Sequence, residues 1–277
     1  MDRIIEIVEL TMEGMGVRGI ARHLKVERIR VMQVQRALGI ACSALHHALV
    51  RGVAVDYVQM DEVWSFVGAK KKTLRRLRQK GLPIRQDQRG DVWTFLALHP
   101  ESMLIISYLA GPRQYPFTEY FVTDLHSRLA NRVMLVSDGL SQYVRAVKRV
   151  FGADGVDYGM VVKVRVKGKF VGSQKYRVFG NPNMDLISTN AIENQNLHHR
   201  QKLRRMQRKT TGHSKIVLAH FANLSLWAAY HNFCHTPDRL NGATPAMVAG
   251  LAQEHWSIQR LILEAVSILA TTPYKPR

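Results

Sequence analysis

The chain has 277 residues, of which 46% are hydrophobic, so it can bury one large core or two smaller ones and is not a disordered tail. Its 40 Lys and Arg against 21 Asp and Glu leave a formal charge of +19, which makes an anionic polymer or surface the expected partner, phosphate foremost. Two cysteines, Cys42 and Cys234, are too few for a disulfide framework or a zinc ribbon and suit a reducing compartment. The most apolar stretch, IVLAHFANLSLWAAYHNF, is interrupted by His220, Asn223 and His231, so no membrane span is expected. The opening MDRIIEIVEL carries mixed charge and no secretion signal, which points to the cytoplasm and, given the charge, to the nucleoid.

Residues 2 to 14 have helical spacing, with Ile4, Ile5, Val8 and Met12 recurring before Gly14 and Gly16. In GIARHLKVERIRVMQVQRAL two short apolar faces flank a turn near Val26, with Ile20, Ala21 and Leu24 before it and Val31, Val34 and Leu38 after it. This is the helix-turn-helix pattern, although Lys25 stands where a turn glycine is usual. Its last helix would offer Arg28, Arg30, Gln33 and Arg36 to a DNA groove, where Arg and Gln can contact base edges in bidentate fashion. The alternative is an ordinary three-helix unit with a solvated basic face. Residues 39 to 55 read as a connector.

YVQMDEVWSFVG then reads as a strand ending at Gly68. The basic run KKKTLRRLRQK and the turn-rich GLPIRQDQRG read as a loop or hairpin extension, whose cations as a patch suit a phosphate-binding arm, before the strands DVWTFLALH and MLIISYLAG. FTEYFVTDLHSRL reads as a helix. Val133 to Val136 form a continuous apolar run expected of a strand buried on both faces, which ends at Ser137 and Asp138; Ser141 would cap the amphipathic helix that follows, with Tyr143, Val144, Val147 and Val150 inward. GMVVKVRVKGKFVG reads as a hairpin with Lys163, Arg165, Lys167 and Lys169 on its outer face. A helix over 214 to 233 would bury Val217, Phe221, Leu224 and Ala228, and a last helix lies near 255 to 270. His231, Cys234 and His235 fall within a turn of one another, but a zinc site would need further ligands, and satisfied or exposed histidines near a helix end are the better reading.

Three acids stand out. Asp61 lies inside the first strand, where an ionised group among apolar neighbours needs a partner or a metal; of Asp61 and Glu62, strand alternation would turn one outward. Asp138 ends the buried strand, and Glu193 opens the helix after Asn190, where a capping box would also justify an acid. If neighbouring strands bring Asp61 and Asp138 together and the late helix lays Glu193 across them, the cluster would need divalent cations, and hard oxygen ligands favour Mg²⁺ or Mn²⁺. Two such ions serve in-line phosphoryl displacement.

QMDEVWSFVGAKK, VSDGLSQY and AIENQNLHHRQKLRRMQRKTTGHSK, in that order, resemble the motifs of the IS1-type insertion-sequence transposases, which are DDE recombinases with a ribonuclease H-like core. The closing YHNFCHTPDRLNGATPAMVAGL is similar to the end of that family's catalytic domain. The resemblance implies an α/β fold in which an N-terminal helix-turn-helix domain, residues 1 to 50, precedes a ribonuclease H-like mixed sheet with helices on both faces. The catalytic domain would run from 51 to 254, with a C-terminal helix and tail from 255 to 277. It also implies that Asp61, Asp138 and Glu193 form the catalytic, metal-binding triad, with Mg²⁺ or Mn²⁺, two ions, as cofactor. Element ends would be nicked to free 3′-hydroxyls, which join target DNA by direct transesterification. Asn196 and Arg200 share the helix face of Glu193, and Arg204, Arg205, Arg208 and Lys209 would carry the DNA backbone onward. The partner is then double-stranded DNA, both element ends and target, and synapsis of two ends implies a homo-oligomer, at least a dimer. The chain departs from the family in opening at the helix-turn-helix without a zinc ribbon, and in the long spacing from Asp138 to Glu193, which the glycine-rich hairpin near 159 to 180 explains. Competing readings are a helix-turn-helix regulator or domesticated transposase without strand transfer, and a ribonuclease H-like nuclease or resolvase.

Overall fold

A computed structural model of the chain describes residues 1–83 and 90–271. The chain divides into two compact units, one of Val50–Val63 and Thr94–Asn196, the other of Met1–Leu49, Trp64–Trp93 and Leu197–Arg277. The fold is α/β. Six strands form one mixed sheet in the order β3-β2-β1-β4-β5-β6. They are β1 (Tyr57–Val67), β2 (Gly90–His99), β3 (Leu104–Gly111), β4 (Met134–Asp138), β5 (Asp157–Val166) and β6 (Lys169–Phe179). The short β4 lies parallel to both β1 and β5, and β6 returns antiparallel to β5. That central position explains the uninterrupted apolar run, since Val133, Met134, Leu135 and Val136 are all buried.

Helices cover both faces of this sheet. On one side α5 (Tyr115–His126) and α6 (Ser141–Phe151) pack on each other, and the rings of Phe95, Phe121 and Tyr143 meet beneath them. On the other, the first half of α7 (Asn190–Lys202) is anchored where Ile192 N–H donates to Gln59 Oε1 at 3.0 Å. Ser141 is not the expected cap. Leu140 holds the cap position, and its N–H donates to Asp138 Oδ1 at 2.9 Å, because a carboxylate two residues back reaches the turn first. The β5–β6 hairpin closes on Lys167 and Gly168, with φ of 49° and 79°, the two-residue turn whose twist matches its strands. Lys167 therefore occupies the turn, while Lys163, Arg165 and Lys169 are exposed on the strands.

In the other unit, α1 (Asp2–Met12), α2 (Val17–Leu24) and α3 (Arg28–Leu49) follow closely. Lys25 takes the left-handed conformation, φ 53°, that a glycine would adopt without strain. The expected connector from residue 39 is helical as far as Leu49. Small side chains in this half let α8 (Val217–Phe233) approach closely: a Cβ built on Gly39 would lie 2.0 Å from the Ala222 carbonyl oxygen. Phe221, Leu224 and Ala228 of α8 are buried as expected, but Val217 opens the helix and is 41% exposed. The basic run KKKTLRRLRQK is also a helix rather than a loop, α4 (Lys71–Gln79), with Leu74 buried and the cations outward. Its Lys, Arg and Leu are good helix formers, and charge alone misled the expectation. The turn expected beyond it falls largely on residues 84–89, and the tail on 272–277, both outside the described residues. After α9 (Pro245–Val248), α10 (Ile258–Thr271) closes the chain against α3. No helix among the described residues is long and apolar enough to cross a membrane.

Candidate functional site

The site arises where β1 and β4 stop pairing. Their last partners are Met60 and Ser137, and the next residue on each strand is an acid, Asp61 and Asp138. Asp61 shares the sheet face of Gln59 and lies under α7, where Asn196 Nδ2 donates to its Oδ2 at 2.8 Å. Glu62 leaves β1 on the opposite face and pairs with Arg113. Alternation does not turn either acid to solvent, because both faces are covered; Glu62 is only 8% exposed. One carboxylate oxygen from each of Asp61, Glu62 and Asp138 lies within 4.8 Å of the others, the one such ligand group among the described residues.

Gathering three acids has an electrostatic cost. Burial first, and the Asp138 charge second, push the Asp61 carboxyl up to about 6, against relief from the Glu62 backbone and Asn196; Glu193 adds a small upward push. Burial and then Asp138 push Glu62 up to about 7 despite Arg113. The Tyr143 hydroxyl faces the same charges, and burial followed by Glu62, Asp61 and Asp138 drives it well above the phenol range. Glu62 Oε2 and Asn196 Oδ1 are buried here without a hydrogen-bond partner at ordinary distance, and the Tyr143 hydroxyl, likewise unpaired, faces Glu62. A pocket of hard oxygens that is short of positive charge fits a metal cation, and Asp61, Glu62 and Asp138 could hold one.

Glu193 has a different setting. α7 begins at Asn190, whose N–H donates to Ser188 Oγ at 3.2 Å, so the expected capping box does not form. Glu193 Oε1 instead accepts from the Thr189 hydroxyl at 2.7 Å and from Lys163 Nζ at 2.8 Å. The structure thus brings Asp61 and Asp138 together, adds Glu62, and places Glu193 at the margin, close enough to be felt by Asp61. The sequence shows Tyr143 as an inward residue and Lys163 as a hairpin cation but does not connect either to the acids, and Arg113 carries no local signal at all. Glu62 did carry one, the acid doublet inside a strand.

The remaining expected residues are distributed as follows. Arg28, Arg30, Gln33 and Arg36 are all exposed on α3. Arg200 is half-buried, α7 ends at Lys202, and Arg204, Arg208 and Lys209 are exposed beyond it. Arg205 turns inward and donates to Gln35 Oε1 at 2.9 Å, and burial lowers its pKa. His199 is interior, its ring 4.6 Å from that of Trp227, and burial holds its pKa down at about 3, so it is neutral at physiological pH. His231 stacks on Trp227 and His235 on Tyr230, and the Cys234 thiol points to the Ser257 carbonyl; these three form no metal-ligand group among the described residues. In comparison with other proteins, the sequence matches no protein-family model and shows significant similarity to no curated protein.

Proposed function

We propose that the protein is a DDE-type DNA transposase, which cuts and joins phosphodiester bonds at the carboxylate cluster. The observation that carries this reading is the convergence of Asp61, Glu62 and Asp138 at the end of a buried parallel strand, in a chain of formal charge +19. A compact acidic site on a basic protein suits a metal-assisted reaction on a polyanion. Mg²⁺ held by Asp61 and Asp138, with Glu62 or Glu193, would supply charge neutralisation and activate the attacking oxygen. Around it, Asn196 fixes the Asp61 carboxylate and Arg113 fixes Glu62, so both acids are pre-positioned. The reaction displaces one ester oxygen at phosphorus: water or a 3′-hydroxyl forms the new P–O bond as the old one breaks, and the departing oxygen takes up a proton.

The exposed face of α3, with Arg28, Arg30, Gln33 and Arg36, is read as the helix-turn-helix surface for element ends. Arg200, Arg204, Arg208 and Lys209 would hold backbone phosphate, and synapsis would require at least a dimer. A second reading, a helix-turn-helix regulator with an inert core, draws on one observation: Glu193 is ion-paired with Lys163. Cleavage of a terminal-repeat duplex separates the two. Asp138→Asn should abolish Mg²⁺-dependent nicking and leave duplex binding within about twofold of the parent protein. Equal nicking by parent and variant would sink the site assignment.

A further inference from the structure

The β5–β6 hairpin does more than lengthen the chain between Asp138 and Glu193. Cross-strand register puts Val161 opposite Lys175, Lys163 opposite Ser173, and Arg165 opposite Phe170, so these side chains share one face. That face floors a groove of about 670 Å³ whose wall is the segment from Asp185 to Glu193. The wall is fastened at several points. Lys175 Nζ donates to the Met184 and Asp185 carbonyls at 2.8 and 3.3 Å, and Lys163 pairs with Glu193. Gly159 lets Ile187 come close, since a Cβ there would lie 2.4 Å from Ile187 Cδ1.

The lining has a definite chemistry. Lys163, Arg165 and Lys175 outnumber Asp185 and Glu193, hydroxyls of Ser173, Ser188 and Thr189 lie between, and Phe170 stands 59% exposed beside Arg165. Cations and hydroxyls suit a phosphodiester backbone. An exposed aromatic ring suits the face of an unstacked base, which a duplex keeps hidden. At its inner end the groove reaches Glu193 and Val161, and Val161 lies directly across from Asp138 in the pairing of β5 with β4.

We infer that this groove binds a single DNA strand, with Phe170 stacking on a base and Lys163 and Arg165 on adjoining phosphates, and leads that strand to the carboxylate cluster. The inference rests on the proposed nucleic-acid reading of the cluster. It also gives the Lys163–Glu193 pair a function: a phosphate that takes Lys163 releases Glu193 to face Asp61.

The test is fluorescence anisotropy with the full chain in EDTA, using a labelled thymidylate oligomer and a duplex of equal length. Phe170→Ala should weaken binding of the oligomer roughly five- to hundredfold and leave duplex binding within about twofold, whereas Phe170→Trp should restore it. Arg165→Ala should weaken oligomer binding and flatten its salt dependence. Because Phe170 is exposed near the hairpin tip, the Trp variant also controls for folding. Unchanged oligomer binding by Phe170→Ala, an equal loss for the duplex, or tighter binding of a uridylate oligomer would each overturn the inference. Its fate is separable from that of the catalytic reading. Loss of nicking in Asp138→Asn with intact oligomer binding in Phe170→Ala removes the groove alone, and the reverse pattern removes the catalytic reading alone.

Discussion

Asp61 and Glu62 hold their protons more tightly in the folded chain than an exposed carboxyl does, with values near 6 and 7 against ordinary ones of 3.8 and 4.5. Between about pH 4 and pH 7 the folded state therefore binds more protons than the unfolded state. Metal-free stability should fall as pH rises through that window and stay low above it, the opposite sign to a salt-bridged acid. Urea unfolding in EDTA at several pH values measures this. Asp138→Asn, by removing the charge that opposes both neighbours, should flatten the slope and make the metal-free protein more stable at pH 8. Mg²⁺ should stabilise the parent protein there, by about 2.7 kcal/mol at a hundredfold excess over its dissociation constant, and do little for the variant. Stability that rises or stays level from pH 4 to pH 7 in EDTA, with no difference between the two proteins, would mean that the three carboxylates are not clustered.

At the scale of elements, the strands and most helices were legible because their signals are local. The buried run before Asp138 and the glycine-bearing turn of the β5–β6 hairpin are both explained by residues within a few positions. What escaped notice depends on distant partners. The second half of α3, GIACSALHHAL, lacks an amphipathic stripe because small residues on one side meet α8 and others meet α10. Likewise Asp61 inside its strand and Asp138 at the end of another are legible as candidates, but an alternation rule that assumes one wet face turns one of Asp61 and Glu62 outward, whereas both are covered. Gly39 tests this account of α3. Replacing it with Ala would favour the isolated helix by about 1 kcal/mol through propensity. In the folded protein the new methyl would collide with the Ala222 carbonyl, so Gly39→Ala should instead destabilise by about 1–3 kcal/mol in urea unfolding. Stabilisation by that substitution would contradict the close α3–α8 contact.

For the whole molecule the dominant quantity is the charge of +19, and the structure shows how it is spread. In one unit, α4 projects Lys71, Lys72, Arg75, Arg76 and Arg78 around a single buried Leu74, and α3 exposes Arg28, Arg30 and Arg36. In the other, exposed Lys and Arg concentrate on the β5–β6 hairpin. Few of these cations have acidic partners, since most ion pairs among the described residues involve other Lys and Arg. Cations left facing water bind a polyanion chiefly by releasing its condensed counterions, which ties affinity to salt. If six to ten phosphates are neutralised, duplex affinity should fall by about 10³ to 10⁵ between 50 and 200 mM salt. Replacing the five α4 cations with Gln should reduce the slope of log affinity against log salt by several units, one contact for each charge lost, while Leu74 keeps the helix packed. The same replacement should leave Mg²⁺ stabilisation of the carboxylate cluster unchanged, because that site is built from β1, β4 and α7. A duplex affinity that barely responds to salt in the parent protein would count against DNA as the partner, whatever the cluster binds.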